Sequence, residues 1–191
     1  MHPLFQLLGL REVISQTTVR EEKLLRKRAH GRKVLVELGV AEGASAFALR
    51  SAADPSGIIY LVDPYLPGRI PGLNVMKLVA HRYVNSCSNA RVVWIEKFSY
   101  DAAQNWHGDI EFLFIDAGHS CDNCMRDWKD WSGFVVKGGN IAFHDGRLFE
   151  GGWTTPDTGS VRIVNQLFRS QSNPKWKIID EVDSLVVVER I

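Results

Sequence analysis

Lys33-Val-Leu-Val-Glu-Leu38, followed by Gly39-Val-Ala-Glu-Gly43-Ala-Ser45, is the segment from which the architecture of this 191-residue chain can be inferred. Its first half is a short apolar run rich in valine, which predicts a buried β-strand. The two glycines predict a tight turn in which the backbone can approach a ligand closely, because glycine has no Cβ. A helical pattern begins at Ser45, so the segment predicts a strand, a glycine turn and a helix.

The same alternation of strand and helix continues along the chain. Further apolar runs predict strands at residues 58–62, 91–95, 110–115 and 140–143. Helical patterns lie between them at residues 45–53, 73–84, 101–106 and 122–134. Gly138-Gly139 is expected to turn the chain into the fifth strand. Strands that alternate with helices are typical of βαβ units, in which a parallel sheet is buried on both faces.

The C-terminal part departs from this alternation. Residues 160–170 predict a helix, and residues 176–179 and 185–188 predict two strands that are too close in sequence for a helical crossover. These two strands should therefore pair antiparallel. We expect an α/β fold, a Rossmann-like three-layer sandwich with a mostly parallel seven-stranded sheet and a C-terminal antiparallel hairpin.

The chain has the length of one ordinary domain, so we expect a single domain over residues 1–191. It should open with a helical segment at residues 1–30, in which Thr18 and Glu21 form a capping-box pattern. Residues 146–159 form a long stretch without helix or strand patterning. Because long loops inside compact domains are often functional, we expect an acceptor-side binding loop there.

Composition disfavours several classes of function. The formal net charge is +1, so no overall field attracts nucleic acid or an anionic membrane, and Arg26-Lys27-Arg28 is interpreted as a helix end. No apolar run reaches the ~20 residues of a membrane-spanning helix, and no signal peptide is recognisable, which favours a cytoplasmic protein. Cys121 and Cys124 have CxxC spacing but no second ligand pair, so ordinary helix cysteines are favoured over zinc or redox chemistry. Whether the protein forms a homodimer is left open by the sequence.

An acidic residue follows the glycine turn at the offset of a nucleoside site. Asp63 ends the second strand, where a carboxylate can accept hydrogen bonds from both hydroxyls of a ribose. The chain lacks GxGxxG, and Glu42 would repel a pyrophosphate. Glu37 suits a cationic ligand, which favours an adenosine carrying a sulfonium and an amino group. An NAD(P)-dependent oxidoreductase and a catalytically silent binding domain remain alternatives.

Polar side chains gather after the fourth and fifth strands. Asp116 and His119 follow the fourth strand, and His144 and Asp145 follow the fifth. The carboxyl ends of adjacent parallel strands meet at one edge of a sheet, which is where such folds bind ligands. Structural roles remain open, since Asp116 could cap the helix near Ser120 and Asp145 could begin a turn.

The pattern ExGxxxGxS after a strand, followed by an acid at the end of the next strand, resembles class I S-adenosylmethionine-dependent methyltransferases. It is particularly similar to the small-molecule O-methyltransferase branch with catechol and macrocin-type enzymes, and the resemblance runs from about residue 18 to the C-terminus. It implies S-adenosylmethionine as cofactor. The binding residues that it implies are Glu37, Gly39, Gly43, Ser45, Asp63, Ser99 and Asp116.

The resemblance also implies a catalytic arrangement. The metal-dependent members carry an acid after strand four and a pair after strand five, which correspond here to Asp116, His144 and Asp145. His144 departs from the acid that is common at its position, yet two carboxylates and an imidazole suit Mg²⁺ or Mn²⁺. His119 corresponds to the general base, and the acceptor implied is a hydroxyl of a small molecule, a sugar or a phenol.

Overall fold

The computed structural model describes residues 13–68, 73–170 and 173–191. Its strands are β1 (Val34–Leu38), β2 (Ile58–Val62), β3 (Arg91–Ile95), β4 (Ile110–Ile115), β5 (Val135–Phe143), β6 (Trp176–Val182) and β7 (Leu185–Arg190). Its helices are α1 (Val19–Ala29), α2 (Ala44–Ala52), α3 (Val75–Asn85), α4 (Ser99–Ala103), α5 (Cys121–Trp131) and α6 (Gly159–Val164). A short 3-10 helix (Ser132–Phe134) follows α5, and a π-helical turn (Asn165–Arg169) continues α6.

The strands form one sheet in the order β3-β2-β1-β4-β5-β7-β6. The five strands from β1 to β5 pair in parallel, and β7 lies antiparallel between β5 and β6. The predicted fold class is thereby confirmed, including the closing hairpin. Strand order reverses between β1 and β4, and ligands of open α/β sheets bind beyond the carboxyl ends of the strands at such a reversal.

Hydrophobic side chains cover both faces of the sheet. Leu35 packs in one core cluster with Phe112 and Phe114, whereas its neighbour Val36 packs in a second cluster with Leu113. Successive residues of a strand point to opposite faces, which explains the division. The polar groups that end these strands are therefore held at the edge of a rigid, well-packed sheet.

The N-terminal prediction is correct in part. Thr18 and Glu21 form the predicted capping box at the start of α1, and the basic run lies in its last turn. Residues 13–18 are not helical, so the helical prediction for residues 1–30 is wrong there, and residues 1–12 lie outside the described residues. Among the described residues, no helix has both the length and the apolar character needed to cross a bilayer.

The glycine pair before the fifth strand has a different role from the predicted one. β5 already begins at Val135 and contains Gly138-Gly139, where its register against β4 shifts. Gly138 has a φ of 77°, a left-handed conformation that glycine adopts without steric cost. The pair therefore forms an irregularity inside the strand rather than a turn before it.

Helix α5 carries two tryptophans and the two cysteines of the CxxC pattern. Trp131 is fully buried, and Trp128 contacts Phe143, so both pack α5 against the sheet. Cys121 and Cys124 are free thiols. The Cys124 thiol donates to the carbonyl oxygen of Gly118 at 3.0 Å, and burial raises the pKa of this thiol to about 12. At neutral pH the Cys124 thiol is thus protonated and a poor nucleophile.

Candidate active site

A cavity of about 470 Å³ lies at the carboxyl ends of β1, β2 and β4. Small-molecule sites have volumes of about 300–1,000 Å³, so this cavity has the size of a ligand site. Its wall is formed by residues 39–45, 62–64, 98–100 and 116–119, by Asn123, Arg126 and Asp127 of α5, and by residues 14–17. Sequence reasoning did not find the N-terminal segment 14–17, because nothing in its composition indicates where it packs.

The predicted site residues divide into two groups around this cavity. Those on the wall are Gly39, Gly43, Ser45, Asp63, Ser99, Asp116 and His119. Glu37, His144 and Asp145 are not part of the wall, and all three are buried. The structure therefore brings the predicted residues to one place, with three of them supporting the wall from behind.

The two glycines of the loop after β1 are required by the protein's own packing. Gly39 has a φ of 84°, and a Cβ on it would lie 2.1 Å from the carbonyl oxygen of Asp116. Gly43 has a φ of 85°, and its Cβ would lie 2.8 Å from a methyl group of Val84. Both the backbone angles and the close contacts exclude a larger residue. The loop is thus fixed in shape before any ligand is considered.

Asp63 holds this loop by hydrogen bonds. Its Oδ2 accepts from the backbone nitrogens of Val40 at 2.9 Å and Ala41 at 3.1 Å. Its Oδ1 accepts from the backbone nitrogen of Tyr65 at 2.8 Å. A carboxylate has about four lone-pair positions, so about one further hydrogen bond is available. Hydrogen bonds to both hydroxyls of a ribose would require two such positions.

Glu37 is fully buried beneath the loop. Its Oε1 accepts a hydrogen bond from the Ser45 hydroxyl, whereas its Oε2 has no hydrogen-bond partner among the described residues. Burial raises the pKa of Glu37 well above its ordinary value, and the negative charges of Asp116 and Asp63 add to this, against the opposing effect of Ser45. Glu37 therefore presents an unpartnered, buried carboxyl oxygen behind the cavity wall.

Aromatic and polar side chains form the opposite end of the cavity. The Ser99 hydroxyl donates to the buried carboxyl group of Asp127, and burial raises the pKa of Asp127 to about 6 although this hydrogen bond lowers it. The rings of Phe98 and Tyr100 stack at 5.3 Å between centroids. The Arg126 guanidinium lies 3.9 Å from the centre of the Tyr100 ring. Sequence reasoning found Ser99 here but missed Arg126 and Asp127.

Asp116, His144 and Asp145 meet at the carboxyl ends of β4 and β5. Nδ1 of His144 lies 2.9 Å from Oδ1 of Asp116 and 3.3 Å from Oδ2 of Asp145. Their potential ligand atoms all lie within 4.8 Å of one another, a spacing that could hold a metal ion. Burial lowers the pKa of His144, but its contacts with Asp116, Asp145 and Glu21 outweigh this and raise the pKa far above its ordinary value.

Glu21 belongs to this cluster although it lies on α1, remote in sequence. Its Oε2 is 3.7 Å from Nε2 of His144, and both side chains are almost fully buried. Burial raises the pKa of Glu21, but contacts with His144, Thr18 and Ser184 outweigh this and lower it well below its ordinary value. The capping-box pattern marks Glu21 as a helix-start residue, but no local signal indicates its contact with His144.

His119 is the most accessible ionisable group of the predicted catalytic set. Its side chain is 45% exposed, and its Nδ1 lies 3.7 Å from Oδ2 of Asp145. The indole ring of Trp153, from the predicted acceptor-side loop, lies edge-on at 5.3 Å between ring centroids. An imidazole that is open on one side and faces a carboxylate on the other can accept a proton from a bound molecule.

Comparisons with known proteins agree with the fold. Residues 36–146 match a family model described as a methyltransferase domain. The O-methyltransferase TomG from Streptomyces achromogenes, solved with S-adenosylmethionine, has 15% identity and a TM-score of 0.67 over 97% of this chain and 85% of its own.

Two further solved structures are described as an O-methyltransferase and as an rRNA methylase. The O-methyltransferase from Bacillus cereus, solved with S-adenosylhomocysteine, has 16% identity and a TM-score of 0.62 over 100% of this chain and 91% of its own. An rRNA methylase from Streptococcus thermophilus has 11% identity and a TM-score of 0.63 over 94% of this chain and 99% of its own. At such identities the structural likeness shows the fold alone.

Proposed function

The chain belongs to the methyltransferase-domain family, within the class I S-adenosylmethionine-dependent methyltransferases, and from this premise we propose that it methylates a hydroxyl group of a small molecule. The observation that carries the proposal is the continuity of one cavity. Its wall extends from Asp63 and the glycine loop to Asp116 and His119. A methyl donor bound along the loop and an acceptor beside His119 would share that single space.

On the donor side, we assign S-adenosylmethionine to the glycine loop. The free acceptor position of Asp63 accepts a hydrogen bond from a ribose hydroxyl. The adenine lies at the end of the cavity that contains Ser99. Gly39, Gly43 and Ser45 supply the backbone surface for the rest of the donor. A cationic amino group of the ligand, contacted directly or through water, would favour the ionised form of Glu37, whose Oε2 is unpartnered, and Asp116 on the wall adds a second carboxylate.

The residues at the ends of β4 and β5 fit a divalent cation. Neighbouring ligand atoms around an ion with bonds of about 2.1 Å lie about 3.0 Å apart in octahedral geometry. The distances of 2.9 and 3.3 Å from His144 to Asp116 and Asp145 agree with that spacing. We therefore propose that these three residues hold Mg²⁺ or Mn²⁺. When bound, the ion supplies a positive charge that lowers the pKa of a coordinated hydroxyl.

On the acceptor side, His119 is proposed as the general base. Its imidazole takes the proton of the acceptor hydroxyl while the oxygen forms a bond to the methyl carbon of the donor. The bond between that carbon and sulfur breaks, and its electron pair stays on the sulfur of S-adenosylhomocysteine. Asp145, at 3.7 Å, then faces the positive charge that His119 has gained.

Calorimetry tests the donor assignment. We expect S-adenosylmethionine to bind with one site per chain and NAD not to bind, because the loop lacks the GxGxxG pattern of a pyrophosphate site. Binding of NAD alone would favour the oxidoreductase alternative. Binding of S-adenosylmethionine without turnover on any acceptor would favour a catalytically silent binding domain.

An acceptor panel of glycosides, catechols and a structured RNA, with Mg²⁺ or with EDTA, tests the rest of the proposal. We expect methylation of a hydroxyl-bearing small molecule that stops when EDTA removes the metal. Methylation of the RNA alone would contradict the proposed acceptor class. Methylation of a small molecule that is insensitive to EDTA would contradict only the proposed metal.

A further inference from the structure

Glu21 reaches the catalytic cluster from α1, and its carboxylate is held from several sides. The residue is 1% exposed. Its Oε1 accepts hydrogen bonds from the backbone nitrogen of Ser184 at 2.8 Å and from the Ser184 hydroxyl at 2.7 Å. Its Oε2 accepts from the backbone nitrogen of Thr18 at 2.7 Å and faces Nε2 of His144 at 3.7 Å. The carboxylate is therefore fixed at the edge of the imidazole opposite Asp116.

The groups around Glu21 all present hydrogens to it. The backbone nitrogens of Thr18 and Ser184 can only donate, and the Ser184 hydroxyl donates as well. A carboxylate on the remaining side favours a hydrogen on Nε2 of His144, just as Asp116 at 2.9 Å and Asp145 at 3.3 Å favour one on Nδ1 while no ion is bound. An ion bound between Asp116 and Asp145 would displace the hydrogen on Nδ1, whereas the hydrogen on Nε2, which faces Glu21, would stay.

We infer that Glu21 is a positioning residue of the metal site, which holds His144 as the Nε2–H tautomer so that Nδ1 can coordinate the ion. This inference rests on the proposed metal set of Asp116, His144 and Asp145. A carboxylate behind a ligating histidine fixes the ring and raises its basicity. The arrangement also joins the site to α1, the helix that follows the cavity-lining residues 14–17.

The test compares the Mn²⁺ affinity of the full chain with that of two variants, measured by electron paramagnetic resonance. Glu21→Gln keeps the size of the side chain and its place in the capping box. The NH₂ group of the glutamine, itself a hydrogen-bond donor, must however face other donors, either those of Ser184 or those of Thr18 and His144. Thr18→Ala is the matched control, because it removes a hydroxyl that accepts from the Glu21 backbone nitrogen at 3.1 Å and donates to Asp183 at 2.6 Å, but keeps the backbone nitrogen of residue 18 and the Ser184 groups that hold the Glu21 carboxylate.

We expect Glu21→Gln to weaken Mn²⁺ binding by about 10- to 100-fold, while Thr18→Ala, although less stable to heat, keeps the wild-type affinity. Equal Mn²⁺ affinity in the wild type and in Glu21→Gln would overturn the inference and leave the proposed function intact. A wild type that binds no Mn²⁺ would refute the proposed metal site itself, and the inference with it. The two failures are therefore distinguishable.

A second measurement uses only the wild type, so it stands even where Glu21→Gln does not fold. Two-bond ¹H–¹⁵N spectra distinguish the two neutral tautomers of a histidine and its imidazolium. In the protein loaded with diamagnetic Mg²⁺, we expect His144 as the Nε2–H tautomer. An Nδ1–H tautomer or a persisting imidazolium would overturn the inference.

Discussion

The cavity has two corners of different construction. The corner that we assign to the methyl donor, called the donor corner, consists of the loop at residues 39–45 and Asp63, and the loop is held by hydrogen bonds from its backbone to Asp63 and by close packing around its glycines. The acceptor corner places three carboxylates, those of Glu21, Asp116 and Asp145, around the buried imidazole of His144. One corner is defined by shape and the other by charge.

The two corners should therefore respond to different perturbations. A backbone turn packed at van der Waals limits cannot accept added volume, but it contains few groups that change their charge near neutral pH. A buried ionic cluster is sensitive to the gain or loss of one proton, because each charge is balanced by its neighbours rather than by water. Changes of volume should act mainly on the donor corner, and changes of charge mainly on the acceptor corner.

The largest expected effect is that of added volume at Gly39. In Gly39→Ala the Cβ meets the Asp116 carbonyl oxygen at 2.1 Å and the φ of 84° is unfavourable, so we expect a loss of about 3 kcal/mol or more in the free energy of unfolding. Urea denaturation measures it. Gly133→Ala is the control, because nothing lies within 4 Å of its Cβ. Equal stability of the two variants would mean that the loop is not fixed by packing.

Removal of the proposed base should affect turnover and leave the donor corner intact. We expect His119→Ala to lower kcat by about 10²-fold or more, with an unchanged dissociation constant for S-adenosylmethionine in calorimetry. His107→Ala is the control, because His107 is exposed and does not line the cavity. Wild-type turnover in His119→Ala would remove His119 from the mechanism. Loss of donor binding would show that the two corners are not separable.

The charge cluster predicts the pH dependence of stability in EDTA. Because the pKa of His144 is raised in the folded protein, its contribution is full below about pH 6.5, its unfolded value, and is lost as pH rises towards the folded pKa. The lowered pKa of Glu21 gives a contribution to stability that is full above about pH 4.5, its unfolded value, and is lost as pH falls towards the folded pKa. Each group contributes a slope of at most about 1.4 kcal/mol per pH unit.

Urea denaturation from about pH 3 to pH 10 measures these slopes, and His144→Asn is the variant that identifies the source of the alkaline one. We expect the alkaline decline in the free energy of unfolding to be smaller in His144→Asn than in the wild type. The same alkaline slope in both proteins would assign the decline to other groups and contradict the charge-defined character of this corner.

The smallest expected effect concerns charge in the donor corner. In Asp63→Asn an NH₂ group replaces one carboxylate oxygen, and it cannot accept the backbone hydrogen bonds that this oxygen accepts in the wild type. The ribose also loses a charged acceptor. We expect an affinity for S-adenosylmethionine about tenfold weaker. Asp54→Asn is the control, because Asp54 accepts from the Ser56 backbone nitrogen in an exposed turn off the cavity. Unchanged affinity in Asp63→Asn would deny Asp63 a role in binding.

The donor corner could be predicted from sequence because its signals are local. The apolar run before Gly39 and the acid after the second strand lie close to the residues with which they pack, and the parallel order of the strands follows from the helices between them. Gly138-Gly139 was misread because two glycines commonly indicate a turn. Their actual role depends on the register of β5 against β4, which no local pattern records.

The acceptor corner could be predicted only in part. Asp116, His119, His144 and Asp145 follow adjacent strands, so the sheet alone brings them together. Glu21 reaches His144 from α1, a helix that packs in the core cluster on one face of the sheet, so this contact is set by the whole tertiary structure. The same applies to the wall residues 14–17, which no periodicity or spacing indicates.

A crystal structure of the chain with S-adenosylhomocysteine is the most direct test of the claim that donor and acceptor share one cavity. We predict a ribose hydroxyl against Asp63, the adenine beside Ser99, and the sulfur directed towards Asp116 and His119. An adenosine bound outside this cavity, or bound in the reverse direction with its adenine at His119, would contradict the proposed arrangement of donor and acceptor.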